Sequence, residues 1–267
     1  MHQISILGCG WLGLPLAKGL LDEGFIVKGS TTSPAKITTL ESAGIHPYVI
    51  TLSPNEILGN SAEFLNGSDT LIIDIPPKLR GENSELFTDK IQTLVPHIEA
   101  AGIKKIIFIS STAVYADDNT IVTEDTPERP TTESGKQLLE SEKILQLNPN
   151  FKTTILRFGG LIGEDRHPVK FLAGKENVEN PDGPINLIHQ KDCIGIILKI
   201  VKKEVWGKTL NGVSPFHPTR EDYYTKLSAQ LGLPAPKFNR ENKSVGKTVT
   251  SLKIKEVLNY SFKEPLL

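Results

Sequence analysis

The stretch Ile4-Ser5-Ile6-Leu7-Gly8-Cys9-Gly10-Trp11-Leu12-Gly13 decides how this chain is read, because an apolar run breaks there into three spaced glycines. Ile4, Ile6 and Leu7 suit a buried strand, while Leu14, Ala17, Leu20 and Leu21 recur at helical spacing until Gly24 offers a stop. The glycines therefore sit at a strand-to-helix turn. Gly8 allows the sharp turn, Gly10 lets a pyrophosphate approach bare backbone, and Gly13 lets the helix pack close to the strand. The positive end of the helix then faces the phosphates. Pro15 falls in the first helical turn, where a missing N–H costs little. The flanking pattern predicts a dinucleotide cradle; a purely structural glycine turn is the alternative.

Working outward, Phe25 to Gly29 predicts a second strand ending at Ser30-Thr31-Thr32-Ser33-Pro34. The ribose pocket falls at that edge. A cradle dedicated to NAD places Asp or Glu about 20 residues beyond the glycines, whereas this chain places hydroxyls. Without that carboxylate a 2′-phosphate meets no repulsion, and Ser30, Thr31, Thr32 and Lys36 can all donate to it. The expected cofactor is thus NADP or NAD, with NADP slightly favoured. A serine and threonine turn leading into a helix cap is the structural reading of the same residues.

Tyr48 to Leu52 predicts a third strand and Thr70 to Ile75 a fourth, closed by Pro76-Pro77. In a doubly wound sheet, ligands bind outside the carboxyl ends of the strands, so Ile75, Pro76 and Pro77 either line the cofactor crevice or form only a rigid loop. Asp74 is anomalous within this apolar strand. A crossover helix is expected over Ser84 to Ala101, then a strand at Lys105 to Ile109 running into Ser110-Ser111-Thr112-Ala113-Val114-Tyr115, where hydroxyls emerge at the carboxyl edge. Ser110 is read as a further cofactor contact. A helix over Thr132 to Leu147 and a strand at Thr153 to Phe158 follow, then a loop-rich cover from Gly163 to Pro184. Order returns at Ile185 to Lys202, with further helices at Arg220 to Leu231 and Ser251 to Val257. Alternating strands and helices without repeats indicate an α/β fold, a Rossmann-type doubly wound, mainly parallel sheet with a smaller C-terminal substrate-covering region. The expected division is residues 1–165 against 166–267, with about 185–205 returning to the first part.

The 267 residues suffice for a substantial core, and 38% hydrophobic with 23% charged residues is ordinary for a globular protein. Thirty basic against thirty-one acidic residues leave a net charge of -1, so no overall field favours nucleic acid or an anionic membrane. No apolar run approaches the ~20 residues needed to span a bilayer. Two cysteines, Cys9 and Cys193, and no secretory leader pattern lead us to expect a reducing, cytoplasmic setting. Cys9 has no histidine partner in its motif and is read as a small packing residue. The six histidines are scattered without metal-site spacing, so no metal is expected.

Several segments together resemble the extended short-chain dehydrogenase/reductase family, the branch containing NAD-dependent epimerases and dehydratases. Ile109-Ser110-Ser111-Thr112-Ala113-Val114-Tyr115 resembles its SSxxVY segment, and Glu124 to Pro130 its acidic-proline stretch. Leu156-Arg157-Phe158-Gly159-Gly160 resembles the following strand, and Ile188-His189-Gln190-Lys191-Asp192 the later (I/V)HxxD segment. The resemblance spans most of the chain in order, the last fifty residues least. It implies that the backbone of Trp11 and Leu12 contacts cofactor phosphates, that Ser111 orients a substrate oxygen, and that a homodimer is an option. It also implies a tyrosine for proton exchange with a lysine four positions on. Here the chain departs: Ser134 and Leu138 stand at those two positions.

Hydride transfer from an alcohol requires removal of its proton, and a tyrosine of pKa about 10 can be tuned to that task by a nearby ammonium. Serine without a base is no replacement. Tyr115, following Ser111 at the same edge, is the substitute candidate, with an ordinary wall residue as its other reading. Lys136 is either solvated or a phosphate contact. Arg157, Arg166, His167 and His189 are either substrate contacts or residues explained equally well by core hydrogen bonding or surface solvation. The chain is expected to be an atypical NAD(P)-dependent oxidoreductase or epimerase/dehydratase-like enzyme acting on a small polar, possibly nucleotide-sugar-like molecule. A non-catalytic NAD(P)-binding sensor is the competing expectation.

Overall fold

The computed structural model describes residues 2–77 and 85–264. Seven strands form the central sheet: β1 Gln3–Leu7, β2 Ile26–Thr31, β3 His46–Val49, β4 Thr70–Ile73, β5 Lys105–Ser111, β6 Lys152–Phe158 and β7 Thr209–Gly212. Their spatial order is β7-β6-β5-β4-β1-β2-β3, and every pairing is parallel. From β1 the chain winds one way through β2 and β3, then starts again at β4 and winds the other way. The reversal lies between β1 and β4, where a doubly wound sheet opens a crevice at its carboxyl edge.

Strand alternation splits the core into two layers. Ile4, Ile6, Ile72 and Ile107 face α1 (Gly13–Asp22), joined there by Ile196, Ile197 and Ile200 on a later helix, Gln190–Lys202, and by Ile254 and Leu258 on the last, Leu252–Leu258. Leu71, Ile73, Ile106 and Phe108 face the opposite layer, formed by α2 (Phe87–Ala100) and α3 (Glu133–Gln146). Sheet residues buried on both faces read as apolar runs, which is why β4 and β5 were visible in the sequence. At ~1.5–3 kcal/mol for each fully buried Leu or Ile, these layers supply the main drive for folding. We label the Gln190–Lys202 helix α4, Arg220–Gln230 α5 and Leu252–Leu258 α6. A third, smaller cluster joins Ile162, Val169, Ile185 and Leu187 to Tyr223, Tyr224 and Leu227 of α5.

Several boundaries differ from the sequence expectations. β2 continues through Ser30 and Thr31, so two of the turn hydroxyls belong to the strand. The strand expected at Tyr48 to Leu52 divides into β3 and the short pair Thr51–Leu52 with Ile57–Leu58, antiparallel and closed through a turn in which Ser53 N–H donates to the Glu56 carbonyl at 3.0 Å. β4 stops at Ile73; the helix expected from Ser84 begins at Phe87, and Ser84 lies outside the described residues. β7 was not foreseen. Its Thr-Leu-Asn-Gly is too short and polar to show a strand pattern, and it forms because β6 presents an open parallel edge. The C-terminal part thus returns to the main body with α4, β7 and α6.

Candidate active site

The glycine turn leads from β1 into α1 at the sheet reversal. Gly8 has φ +109°, and a Cβ there meets the Asp74 carbonyl oxygen at 2.3 Å. A Cβ on Gly13 meets the Gly8 carbonyl oxygen at 2.1 Å. Both glycines are demanded by the protein's own packing. Gly10 is different, since a Cβ there meets nothing within 4 Å. Its bare backbone opens onto space, so a phosphate can approach it closely. Among the described residues no protein acceptor meets the amides of Trp11 and Leu12 at the head of α1. The turn itself is pinned: Gly8 N–H donates to Ser30 Oγ at 2.9 Å and Cys9 N–H to the Ser30 carbonyl at 2.7 Å. Cys9 is buried and burial, then the charge of Asp74, pushes its thiol up to about 12, so it packs and does not react.

Two cavities flank this turn. One, of about 650 Å³, runs past Gly8, Ser30, Thr31, Thr32 and Lys36 towards the start of α2. The other, of about 1020 Å³, is walled by Trp11, Ser111, Ser134, Leu138, Gly160 and Arg166. They share Gly10, Asp74, Ile75 and Pro76, and Pro77 belongs to the larger one. Asp74 N–H donates to the Leu7 carbonyl, prolonging the ladder by one residue, and its carboxylate lies beneath the turn, where a Cβ on Gly13 meets Asp74 Oδ2 at 3.1 Å. Burial pushes this carboxyl up to about 7, opposed by the Gly13 N–H. A long bent crevice with a bare-backbone anion cradle at its waist suits a dinucleotide laid across the sheet reversal.

Residues 8–192 match a protein family described as NAD(P)H-binding. The chain belongs to that family. It is also 35% identical over 267 residues to Protein YeeZ of Escherichia coli (strain K12), covering 99% of this chain and 97% of that one. At the level of fold, a functionally unknown conserved protein from Silicibacter pomeroyi DSS superposes with a TM-score of 0.80 at 23% identity, over 99% of this chain and 95% of that one. UDP-glucuronic acid 4-epimerase from Bacillus cereus, in complex with NAD, superposes with a TM-score of 0.82 at 18% identity, over 99% and 93%. The family membership and these folds agree with the resemblance read from the motifs. No described helix is long and apolar enough to cross a membrane.

The two positions at which the resemblance to short-chain dehydrogenases expects tyrosine and lysine have defined places in the structure. Ser134 and Leu138, one turn apart on α3, both line the larger cavity together with Ser111. Gly135 lets α3 approach, since a Cβ there meets the Ala113 carbonyl oxygen at 2.3 Å. Ser111 Oγ accepts from Ala113 N–H at 3.1 Å, which leaves its own hydrogen for a ligand. Lys136 points to solvent, exposed on the far side of the helix.

Tyr115 requires correction as a catalytic candidate. It is 1% exposed, its hydroxyl donates to Asn211 Oδ1 at 3.0 Å and accepts from Arg157 at 2.6 Å, and burial pushes its phenol up against the lowering effect of Arg157. It lines neither of the two cavities. Arg157 is likewise no substrate contact: it is 2% exposed, stacked over the Tyr115 ring and paired with Glu142 at 2.6 Å and Glu128 at 2.7 Å. Ser110 lines the larger cavity, yet its hydrogen goes to Glu142. Ser30 Oγ accepts from Gly8 N–H and Thr31 Oγ1 from Ser33 N–H, so each braces the turn and keeps its own hydrogen for a ligand in the smaller cavity, while Thr32 and Lys36 are exposed at the cavity mouth. His189 caps α4 by accepting from Lys191 N–H at 3.3 Å. His167 has an unpartnered Nδ1 among the described residues, and burial, then the charge of Lys170, lowers its pKa. It lines neither cavity. Sequence reasoning left Asp74 without a role and saw nothing in Asp165 or Gln190. These last two fix Trp11, through its indole N–H at 2.8 Å and its carbonyl at 2.6 Å.

Proposed function

We propose that this chain is an NAD(P)-dependent oxidoreductase or epimerase-like enzyme that binds the dinucleotide across the glycine turn and a small polar substrate against Ser111 and Ser134. The observation that carries the reading is the meeting of two cavities at Gly10, Asp74, Ile75 and Pro76, the sheet-reversal position where a dinucleotide crosses. The amides of Trp11 and Leu12, with the open side of Gly10, hold the pyrophosphate. Gly8 and Gly13 keep the turn in shape. Ile75, Pro76 and Pro77 wall the middle of the cofactor. At the smaller cavity Thr32 and Lys36, with no carboxylate at the strand end, favour a 2′-phosphate and hence NADP. Bound nicotinamide supplies hydride acceptance or donation.

The chain's own residues then orient the substrate. Ser111 offers a hydroxyl hydrogen to a substrate oxygen, and Ser134 a second one from α3. Neither is a base at neutral pH, so proton exchange in this site differs from a tyrosine-lysine relay. The same fact supports a second reading, a dinucleotide sensor that performs no turnover. Calorimetry with NADPH and NADH tests the cofactor reading, with NADPH expected to bind more tightly. A substrate screen following nicotinamide absorbance separates enzyme from sensor: Ser111→Ala lowers turnover in the first case. Clear binding with no turnover across that screen selects the second, and no binding of either nucleotide removes both.

A further inference from the structure

The larger cavity is unusual in what its wall can offer a ligand. Ser111 and Ser134 are hydroxyl donors there, and Arg166 is the cationic lining residue among those described. Asp74 also lines this cavity, at its cofactor end beneath the glycine turn. The wall beyond the cofactor is therefore donor-rich and otherwise apolar, with Leu138, Phe158 and Leu161 between the polar groups. Such a wall suits a ligand that brings acceptors.

Arg166 is also held in place. Gly163 and Arg166 exchange two backbone hydrogen bonds of 3.0 Å each, which closes a tight two-residue turn. Its guanidinium lies 5.0 Å from the Trp11 ring centroid, and a Cβ on Gly163 meets that same ring at 2.8 Å, so the indole is packed between turn and cavity. The neighbouring carboxylate, Asp165, accepts from the indole N–H. Arg166 forms no ion pair among the described residues, in contrast to Arg157 and Arg240, which do. A guanidinium laid on an aromatic face keeps its edge N–H groups free in a plane that matches an oxyanion.

We infer that Arg166 is the substrate-specificity residue of this site, anchoring a carboxylate or phosphate group of the substrate with help from the hydroxyls of Ser111 and Ser134. This rests on the proposed binding of cofactor and substrate in one cleft. Trp11 acts as its platform, linking the cofactor cradle to the substrate anchor, so that one residue touches both halves of the reaction. The substrate class narrows from a polar molecule to an anionic one.

The test uses the full chain loaded with NADP and two probes, inorganic phosphate and acetate, followed by NMR chemical shifts of the Ser111, Ser134 and Gly163 amides. Prior loading keeps the probes off the glycine turn. A saturable shift with phosphate or with acetate is expected, the responding anion telling the two group types apart. Arg166→Gln weakens that anion by about tenfold or more, as loss of a charge-assisted bond does. Arg166→Lys, which keeps the charge but loses the planar fork laid on Trp11, recovers only part of that loss. NADP affinity is the same in all three. Shifts that fail to saturate with either anion, or that persist in Arg166→Gln, overturn the inference. So does a parallel loss of NADP affinity, which makes Arg166 a cofactor clamp instead. Failure of NADP to bind the parent protein strikes the earlier functional reading itself and is seen before any anion is added.

Discussion

The two walls of the larger cavity are built on opposite plans. Behind Ser110 lies a dry knot in which Arg157 binds Glu142, Glu128 and Tyr115, and Tyr115 binds Asn211, whose Nδ2 has no partner among the described residues. Across the cavity, Ser111, Ser134 and Arg166 present donors with few protein partners. A buried charge persists only when it is paired and hydrogen-bonded, so the first group is spent on structure. Proximity to the catalytic edge is therefore a poor guide to chemistry; what counts is whether a polar atom has capacity left.

The largest break of this contrast is Glu142→Ala. It leaves the Arg157 guanidinium buried with only the half-buried Glu128 as counter-charge, and removal of one partner from such a pair costs about 3–5 kcal/mol. Urea unfolding is the measurement. Ser134→Ala, on the open wall, is expected to stay within about 0.5 kcal/mol of the parent. Equal losses in the two variants erase the distinction between the walls.

The glycine turn gives an internal version of the same comparison. Gly13→Ala forces a Cβ against the Gly8 carbonyl and is expected to destabilise by about 1–3 kcal/mol. Gly10→Ala meets open space and leaves the midpoint in urea unchanged. Its effect falls on NADPH instead, with affinity lowered by roughly tenfold, about 1.4 kcal/mol. If calorimetry finds Gly10→Ala binding as tightly as the parent, the open side of Gly10 is not where phosphate sits.

Tyr115→Phe is a smaller effect of the first kind. It strands a buried Arg157 N–H and the Asn211 amide oxygen, a cost of about 1–3 kcal/mol. Turnover at a temperature well below the unfolding midpoint is expected to match the parent, whereas Ser111→Ala lowers it.

The sheet was legible because its strands are apolar runs and its glycines are steric requirements. Both leave local marks in the sequence. Ser134 and Leu138 were also found by position, since the helix that carries them keeps its register against the strand before it. Other features depend on contacts between distant residues. Tyr115 looked available because nothing in its own segment announces Asn211 or Arg157, 96 and 42 residues away. β7 is a strand only because β6 has a free edge. Arg166 was one of four scattered possibilities until Trp11, far away in the chain, was seen under it.

Asp74 carries an effect that depends on pH, and its sign follows from where it sits. Its carboxyl is pushed up to about 7 from an ordinary 3.8, by burial first and against the lowering effect of the Gly13 N–H. Between those two values the folded chain holds a proton that the unfolded chain releases, so this residue makes stability fall as pH rises from about 4 to about 7. Above that range the whole penalty is present; below it none is. One proton sets a ceiling of about 1.4 kcal/mol per pH unit, and partial contact with solvent keeps the slope well beneath it. Asp74→Asn keeps an oxygen beneath the turn and removes the titration. Urea midpoints of the two proteins are expected to coincide near pH 4 and to separate towards pH 8, with the asparagine variant the more stable. If the parent is instead the more stable of the two towards pH 8, the carboxylate is held by its surroundings more strongly than burial opposes it, and Asp74 then belongs with the spent groups of the dry knot.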